Sequence, residues 1–200
     1  MTTTATDERL AGQEQRIVDA TTRCIARWGV AKTTLDDVAR EAACSRATVY
    51  RLFPGGKDAV LEATVRAQLA RFYRGLAERL DGAGDDLEDL LVAGAVHTSQ
   101  QIAGNRALQF VLAHEPGMIL PLIAFNRMDR VLRAVSEFAA PYLAPHVGAE
   151  EAPRVAEWVA RIVLSYMLSP ADEVDVRDEE SVRRLVRTFV LPGLVNHVRQ

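Results

Sequence analysis

The stretch "LDDVAREAACSRATVYRLF", residues 35–53, constrains the fold more than any other part of the chain. Its pattern predicts two short helices separated by "AACS". A helix of about nine residues is not stable alone in water, so its apolar side must pack against other helices. Val49, Leu52 and Phe53 fall on one side of the second helix and form that apolar side. The opposite side is polar and faces solvent, which is typical of a recognition surface.

Local signals place a further helix before these two. Apolar residues at helical spacing predict a first helix over residues 7–28, and Gly29 follows as its C-terminal cap. Thr34 is a good N-cap for the second helix, with Asp37 three residues later as in a capping box. Ser45 can cap the third helix. Three such helices form a small bundle with a helix-turn-helix, whose third helix fits a DNA major groove.

The outward side chains of this bundle suit contacts with DNA. An arginine can bond to guanine O6 and N7, and Ser and Thr hydroxyls can reach bases or phosphates. The start of the second helix favours a phosphate, and the lysine after the third helix can pair with the DNA backbone. The candidate DNA-binding residues are Thr33, Thr34, Ser45, Arg46, Ala47, Thr48, Tyr50, Arg51 and Lys57. A three-helix cluster with a solvated polar face remains the alternative on spacing alone.

The motifs "RWG", "TTLDDVA", "AACS", "TVYRLF" and "GGKDAVL" occur in this order within residues 13–62. In this the chain resembles the tetracycline-repressor (TetR) family of bacterial transcription regulators. It departs from the family pattern at Ala43, where the turn usually has glycine. Alanine is strained there if φ is positive. The "PGG" loop before Lys57 is also about one residue longer than is common. Arg46 and Arg51 vary within the family, and we expect them to carry this protein's operator preference.

Composition excludes several classes of protein and supports DNA binding only weakly. Residues 1–57 have nine Lys or Arg and seven Asp or Glu, whereas residues 58–200 have 15 and 20, so only the N-terminal part has a slight positive charge. The chain has no run of 18 apolar residues and no N-terminal signal-peptide pattern, which predicts a cytoplasmic protein with no membrane span. We expect residues 1–7 to be a disordered lead-in; a DNA-contacting arm is the alternative.

The sequence also predicts neither a metal or cofactor nor an enzyme. Cys24 falls on the apolar stripe of the first helix and Cys44 in the turn, and such free cysteines need no disulfide in the cytosol. These two cysteines and four scattered histidines do not form a zinc-ligand spacing. The chain also has no nucleophile elbow, no phosphate-binding loop after a strand and no paired carboxylates at a recognisable site.

The rest of the chain reads as helical over 85–103, 105–113, 117–144, 150–168 and 178–199 after a long fourth helix. Pro121 and Pro192 should kink or interrupt their helices. The predicted fold class is therefore all-α. It combines an N-terminal three-helix helix-turn-helix DNA-binding bundle (residues 1–56) with a C-terminal helical ligand-binding and dimerisation domain (residues 57–200).

The resemblance implies a homodimer held by a four-helix interface from the last two helices of each subunit. A two-fold dimer suits a palindromic operator. An ordinary core explains much of the same apolar pattern and stays open as the alternative. The candidate interface residues are Val155, Val159, Tyr166, Leu185 and Phe189.

The resemblance also implies an inducer pocket among the central helices. Methionine and phenylalanine at helical spacing suit a lipophilic effector such as a fatty acid, an acyl-CoA or a hydrocarbon, although a filled core would look similar. The candidate ligand-binding residues are Thr98, Ile102, Leu108, Phe110, Val111, His114, Met118, Leu122, Phe125, Met128, Trp158 and Ile162.

Together these features predict a ligand-responsive DNA-binding regulator that binds a double-stranded DNA operator. By family habit we expect a repressor released by its effector. An activator of the same family and a helical binding module that does not bind DNA are the alternatives.

Overall fold

The computed structural model describes residues 2–118 and 128–193, with side chains from residue 9 onward. Within these residues the regular structure is helical, apart from one isolated β-bridge between Ala171 and Val174. This confirms the all-α prediction. The helices are α1 (Thr2–Lys32), α2 (Leu35–Glu41), α3 (Arg46–Leu52), α4 (Gly56–Asp81), α5 (Leu87–Gly104), α6 (Arg106–His114), α7 (Met128–Val147), α8 (Ala152–Leu168) and α9 (Glu179–Leu185).

The predicted caps of α2 and α3 are present. The Thr34 hydroxyl accepts from the Asp37 N–H, and the Asp37 carboxylate accepts from the Thr34 N–H, which completes the capping box. The Ser45 hydroxyl accepts from the Thr48 N–H at the start of α3. Caps of this kind are worth about 0.5–2 kcal/mol each, which matters for helices of only two turns.

The first helix is longer than predicted. The structure places residues 2–6 in α1, so the expectation of a disordered lead-in is wrong there; the sequence has no glycine or proline before Gly12 that would end a helix. Gly29 interrupts α1 with φ +80°, in agreement with its predicted role as the helix end. A glycine takes this backbone conformation without the steric penalty that other residues carry.

The chain forms two compact units. The N-terminal unit contains residues 2–71 and also takes in α6 and the residues just after it, through 118. The C-terminal unit contains residues 72–104 and 128–193. The domain boundary expected after residue 56 lies at the start of α4. This helix is continuous, and the two compact units divide within it, after Arg71.

The core of the N-terminal unit holds the short helix α3 in place. Val49 of α3 is fully buried, and Ile17 of α1, Val38 of α2 and Val60 of α4 are each 1% exposed in the same cluster. Burying one such side chain stabilises the fold by about 1.5–3 kcal/mol. Cys24, also 1% exposed, belongs to this cluster, as its place on the apolar stripe predicted.

The C-terminal unit has its main core between α5, α7, α8 and α9, where α7 packs along α8. An ion-pair network joins α5 to the last helix: Arg183 contacts Glu88 at 2.8 Å and Asp89 at 2.6 Å, and Arg187 contacts Glu88 at 2.9 Å. Hydrogen bonds from Arg187 and Arg183 lower the pKa of the Glu88 carboxyl.

The last helix changes its winding before Pro192. Residues Val186–Val190 form a π-helical turn, and residues 191–193 continue as helix. Proline lacks an N–H and its ring crowds the preceding turn, so the wider turn accommodates it. The helix continues through Pro192, so the expected kink or interruption is seen only as this change of winding before it; Pro121 lies outside the described residues. Within those residues, each helix is too short or too polar to cross a membrane.

His97 is a buried histidine in the C-terminal unit. It is 8% exposed, and its Nε2 has no hydrogen-bond partner among the described residues. The ring lies directly against α4, because a Cβ atom on Gly75 would be 2.9 Å from His97 Cε1. Burial lowers the pKa of His97, although the carbonyl of Phe72 acts in the opposite direction. The folded protein therefore favours the neutral imidazole.

We expect His97 to make the protein less stable in mild acid. Below pH about 6.5 the unfolded chain binds a proton that the folded His97 resists, so stability falls by at most about 1.4 kcal/mol per pH unit until the lower folded pKa is reached. Urea denaturation at two pH values either side of the ordinary histidine pKa would measure this. The His97→Gln variant should lose less stability between them than the wild type. Equal losses would contradict the expectation.

Candidate nucleic-acid interface

The outer face of α3 is exposed and polar, as the sequence predicted. Ser45, Arg46, Ala47, Tyr50 and Arg51 are exposed, while Thr48 is half-buried. Tyr50 is 42% exposed although it is a large aromatic residue. The opposite side of α3 is held by Val49 and Phe53, which are 0% and 8% exposed. The buried side chains of Val49 and Phe53 therefore hold α3 in place while its polar face stays exposed to solvent.

Arg46 is held by two partners on this face. Its Nη1 donates to both carboxylate oxygens of Asp36 on α2, at 2.9 Å and 3.2 Å. Its Nη2 donates to the Tyr50 hydroxyl at 3.3 Å, and its guanidinium lies 5.5 Å from the centre of the Tyr50 ring. Hydrogen bonding to Tyr50 and then the charge of Asp36 raise the pKa of Arg46. Asp36 is a site residue that was not among the candidate DNA-binding residues predicted from the sequence.

Arg51 differs from Arg46 because it makes no ion pair within the described part of the chain. It is exposed at the C-terminal end of α3. Ser45 and Thr48 share a hydrogen bond of 2.9 Å between their hydroxyls in addition to the cap. Each of these hydroxyls is therefore already engaged within the N-terminal turn of α3.

The two threonines before α2 lie in different environments. Thr34 is exposed, whereas Thr33 is 2% exposed and its hydroxyl donates to the Gly29 carbonyl at 2.6 Å. The side chain of Thr33 therefore cannot contact DNA in this conformation, which corrects the sequence-based assignment. The buried hydroxyl instead binds the backbone carbonyl at the break in α1. The Thr34 hydroxyl forms a hydrogen bond with Asp37, which lowers the pKa of that carboxyl.

Lys57 and Glu115 both bind the backbone of α1 just after its break at Gly29. The Lys57 ammonium donates to the carbonyls of Val30 and Ala31, at 2.7 Å and 3.3 Å. The Glu115 carboxylate accepts from the N–H groups of the same two residues, at 2.8 Å and 3.0 Å. Lys57 was predicted to contact a phosphate, but here its ammonium binds the carbonyl groups that follow the break at Gly29. Glu115 was missed because it lies 84 and 85 residues away in sequence.

Ala43, in the turn between α2 and α3, has φ +51°. It is the one non-glycine residue with positive φ in the described part of the chain. This is the strained conformation that the replacement of the usual glycine predicted. The turn keeps its geometry because the Cys44 N–H donates to the Ala39 carbonyl at 2.9 Å.

The structure divides the predicted ligand-binding residues between the two units. Thr98, Ile102, Met128, Trp158 and Ile162 belong to the C-terminal unit, and Leu108, Phe110, Val111, His114 and Met118 to the N-terminal unit. Leu122 and Phe125 lie outside the described residues. Within the N-terminal unit, His114 stacks on Phe110 with 4.4 Å between ring centres, and its Nδ1 lies 3.1 Å from the Phe110 carbonyl. Trp158 is 44% exposed, so here it does not line an enclosed pocket.

Each unit has an open cavity of its own. The N-terminal unit has one of about 550 Å³ between α1, the end of α3 and α4, and the C-terminal unit one of about 340 Å³ beside His97, Gln100, Arg79 and Arg183. Neither of these two cavities is lined by any of the ten predicted ligand-binding residues that the structure describes.

The predicted dimer-interface residues are mostly part of this chain's own core. Val155 is 5% exposed, and Val159, Tyr166 and Leu185 pack partly buried against the same cluster. Val155 therefore cannot offer interface surface, which corrects that assignment. Phe189 is 67% exposed, as an interface residue would be. Three large apolar residues stay exposed in this region: Trp158 and Leu168 on α8, and Phe189 in the π-helical turn that follows α9.

Known proteins resemble this chain in both sequence and fold. Residues 17–64 match the family model described as bacterial regulatory proteins, tetR family. The uncharacterized HTH-type transcriptional regulator Rv1255c of Mycobacterium tuberculosis (strain ATCC 25618 / H37Rv) is 28% identical over 182 residues, covering 88% of this chain and 83% of that protein. The uncharacterized HTH-type transcriptional regulator Mb2274c of Mycobacterium bovis is 32% identical over 100 residues, half of each chain.

Two solved structures share the fold. The TetR family repressor AlkX from Dietzia sp. strain DQ12-45-1b, implicated in biodegradation of n-alkanes, matches with a TM-score of 0.58 at 19% identity, over 92% of this chain and 96% of that one. The fatty acid degradation regulator FadR from Bacillus halodurans matches with a TM-score of 0.57 at 18% identity, over 90% and 96%.

The helix-turn-helix and these matches define a transcriptional regulator rather than an enzyme. The chain is similar to the tetR family of bacterial regulatory proteins over residues 17–64, and to HTH-type transcriptional regulators over most of its length.

Proposed function

We propose that this protein is a homodimeric repressor that binds a palindromic double-stranded DNA operator and is released by a small lipophilic effector. The observation that carries the DNA-binding part is the outer face of α3. It presents Arg46, Tyr50 and Arg51 to solvent on a helix fixed from behind by a buried Val49. A helix of this size with polar residues outward can enter a major groove, where arginine bonds to guanine.

The first experiment selects a DNA duplex that the protein binds and measures how this binding depends on salt. The purified protein would select duplexes from a random pool, and binding to the selected duplex would be measured at several salt concentrations. A DNA-binding protein loses affinity steeply as salt rises, because its contacts release counterions from the phosphates. Failure to enrich any duplex would favour the alternative of a helical binding module that does not bind DNA. An activator and a repressor would be separated by a reporter gene placed behind the selected duplex.

Replacing Arg51 with alanine should weaken operator binding by about 1–3 kcal/mol and relax the sequence preference at one base pair. Arg51 is the exposed arginine of α3 without an ion-pair partner among the described residues, so no internal contact must break before it reaches a base. Binding of the selected duplex and its single-base variants would measure both effects. The Arg66→Ala variant, which removes an exposed arginine from α4 instead, serves as the control. Unchanged preference in Arg51→Ala would mean that another face reads the DNA.

The effector is proposed to be a fatty acid, an acyl-CoA or a hydrocarbon. Support comes from the Met and Phe residues of the central sequence and from the two structures of similar fold, whose names refer to n-alkane and fatty acid degradation. Native mass spectrometry of the purified protein would identify any co-purified lipid. Each compound class would then be added to the protein–operator complex. Release of DNA by a fatty acid, an acyl-CoA or an alkane would support the proposal, and release by none of them would overturn this part of it.

Release from DNA requires that the effector bind the two conformations of the dimer with different affinity. The continuous helix α4 contributes residues to both compact units, so it is the proposed connection between effector and DNA-binding helices. In the DNA-bound state the two copies of α3 should lie about 34 Å apart, one turn of the double helix. A change in that spacing would separate one of the two helices from its half-site.

A further inference from the structure

Arg46 does not stand free on the outer face of α3, because residues on two sides of it accept its hydrogen bonds. Both Asp36 carboxylate oxygens accept from its Nη1, and Tyr50 lies on the other side within hydrogen-bond distance of Nη2. The side chains of Arg46 and Asp36 are 55% and 56% exposed. All three residues therefore lie on the surface that the proposed function turns toward DNA.

In water this ion pair contributes little, because solvent screens the attraction between exposed charges. The ion pair matters more when the protein is bound to DNA. Once water is excluded, a carboxylate beside phosphates is costly unless it keeps a positive partner. Arg46 is the positive partner within reach, so Asp36 should retain it in the complex.

The pair still leaves Arg46 able to bind a base. A guanidinium has five N–H donors in a rigid fork, and the contacts to Asp36 and Tyr50 do not use them all. Asp36 restricts the orientations that the Arg46 side chain can adopt. A long flexible arginine on a DNA-binding face can turn to the nearest phosphate, which adds affinity without sequence information. An Arg46 held by Asp36 is kept from that alternative.

We propose that Asp36 is a specificity-determining positioning residue, which holds Arg46 against Tyr50 so that Arg46 reads guanine instead of binding phosphate. This inference rests on the proposed function, since it requires that the α3 face binds DNA. Tyr50 has a second part in it: its hydroxyl oxygen accepts from Arg46, which leaves the hydroxyl proton to donate to the DNA backbone.

The test uses the full-length protein and measures two affinities at the same salt concentration, one for the selected duplex and one for a scrambled duplex of the same composition. The Asp36→Asn variant removes the charge and keeps the size of the side chain. We expect its affinity for scrambled DNA to rise, and the ratio of the two affinities to fall about tenfold, within the range that one bidentate base contact supplies. The salt dependence of scrambled binding should become steeper by about one phosphate contact.

The matched control is Asp58→Asn. Asp58 is an exposed acid in the first turn of α4, as Asp36 is in the first turn of α2, so the change in net charge and in helix-terminus charge is the same. In this control the affinity ratio should stay at the wild-type value. A double variant, Asp36→Asn with Arg46→Ala, tests whether Asp36 acts through Arg46. In the Arg46→Ala background the Asp36 change should leave the ratio unaltered.

Two results would overturn the inference. If Asp36→Asn raises both affinities by the same factor, Asp36 only repels phosphates. If the ratio falls equally with and without Arg46, Asp36 acts by some other route. A wild-type protein that selects no duplex at all would instead overturn the proposed function itself, and this inference with it. Thermal melting of each variant, with midpoints near that of the wild type, would exclude misfolding as the cause of a changed ratio.

Discussion

The Gly29→Ala variant is expected to lose about 3–5 kcal/mol of stability in the N-terminal unit. Alanine at positive φ costs about 1–2 kcal/mol by itself, and Gly29 has φ +80°. The added Cβ would also lie 2.5 Å from Glu115 Oε1 and 2.7 Å from Phe110 Cε1, so the side chains of Glu115 and Phe110 must shift. That shift would disturb two hydrogen bonds from backbone N–H groups to a carboxylate, each worth about 1.5–3 kcal/mol.

Gly56→Ala is the control for the backbone part of this loss. Gly56 lies in the same unit and has φ +65°, but the atom nearest to an added Cβ, Tyr50 Cε1, is at an ordinary 3.6 Å. Its loss should therefore stay near the backbone cost of about 1–2 kcal/mol. Urea denaturation, with hydrogen exchange to locate the change, would measure both. Similar losses in the two variants would mean that the contact with Glu115 and Phe110 contributes nothing.

The Phe189→Glu variant is expected to convert the proposed dimer to a monomer and to reduce operator affinity by about a hundredfold or more. Phe189 is 67% exposed, so the substitution should leave the chain's own core intact. A charge buried at the centre of an apolar interface without a partner is strongly unfavourable. Two linked α3 helices bind two half-sites with an avidity of roughly 10²–10⁴ over one, and a monomer loses that gain.

Light scattering would measure the mass, which should fall from twice the chain mass to the 22.0 kDa of one chain. Val131→Glu is the matched control, because Val131 is also exposed, at 45%, but lies on α7. This control should remain dimeric and bind the operator normally. A Phe189→Glu protein of unchanged mass would place the interface elsewhere.

The features that the sequence predicted well are those that neighbouring residues produce among themselves. The capping box of Thr34 and Asp37, the cap at Ser45 and the end of α1 at Gly29 each involve residues within four positions of one another. The strain at Ala43 follows from one substitution in a turn of known shape. Periodicity also separated the buried Val49 from the exposed arginines on α3, since one side of that helix is apolar and the other polar.

The interface prediction was wrong at Val155 because α8 carries apolar residues on both sides. Sequence periodicity identified the stripe but not which side packs inside the chain. Val155 and Val163 turned out to be core, while Trp158 and Leu168 remain exposed. A helix that is apolar around most of its surface gives no local signal of orientation.

By itself the sequence determined the helices, their caps, the helix-turn-helix and its outward polar face, because these depend on helical spacing and on side chains bonding to backbone nearby. Only the tertiary structure decided which partners those residues have. It brought Glu115 from 84 and 85 residues away to the backbone that follows Gly29, and it set Asp36 against Arg46 across ten residues. It also turned the side chains of Lys57 and Thr33 toward the backbone at this break in α1. Such contacts depend on how separate helices pack, and packing brings together residues whose positions in the sequence carry no common pattern.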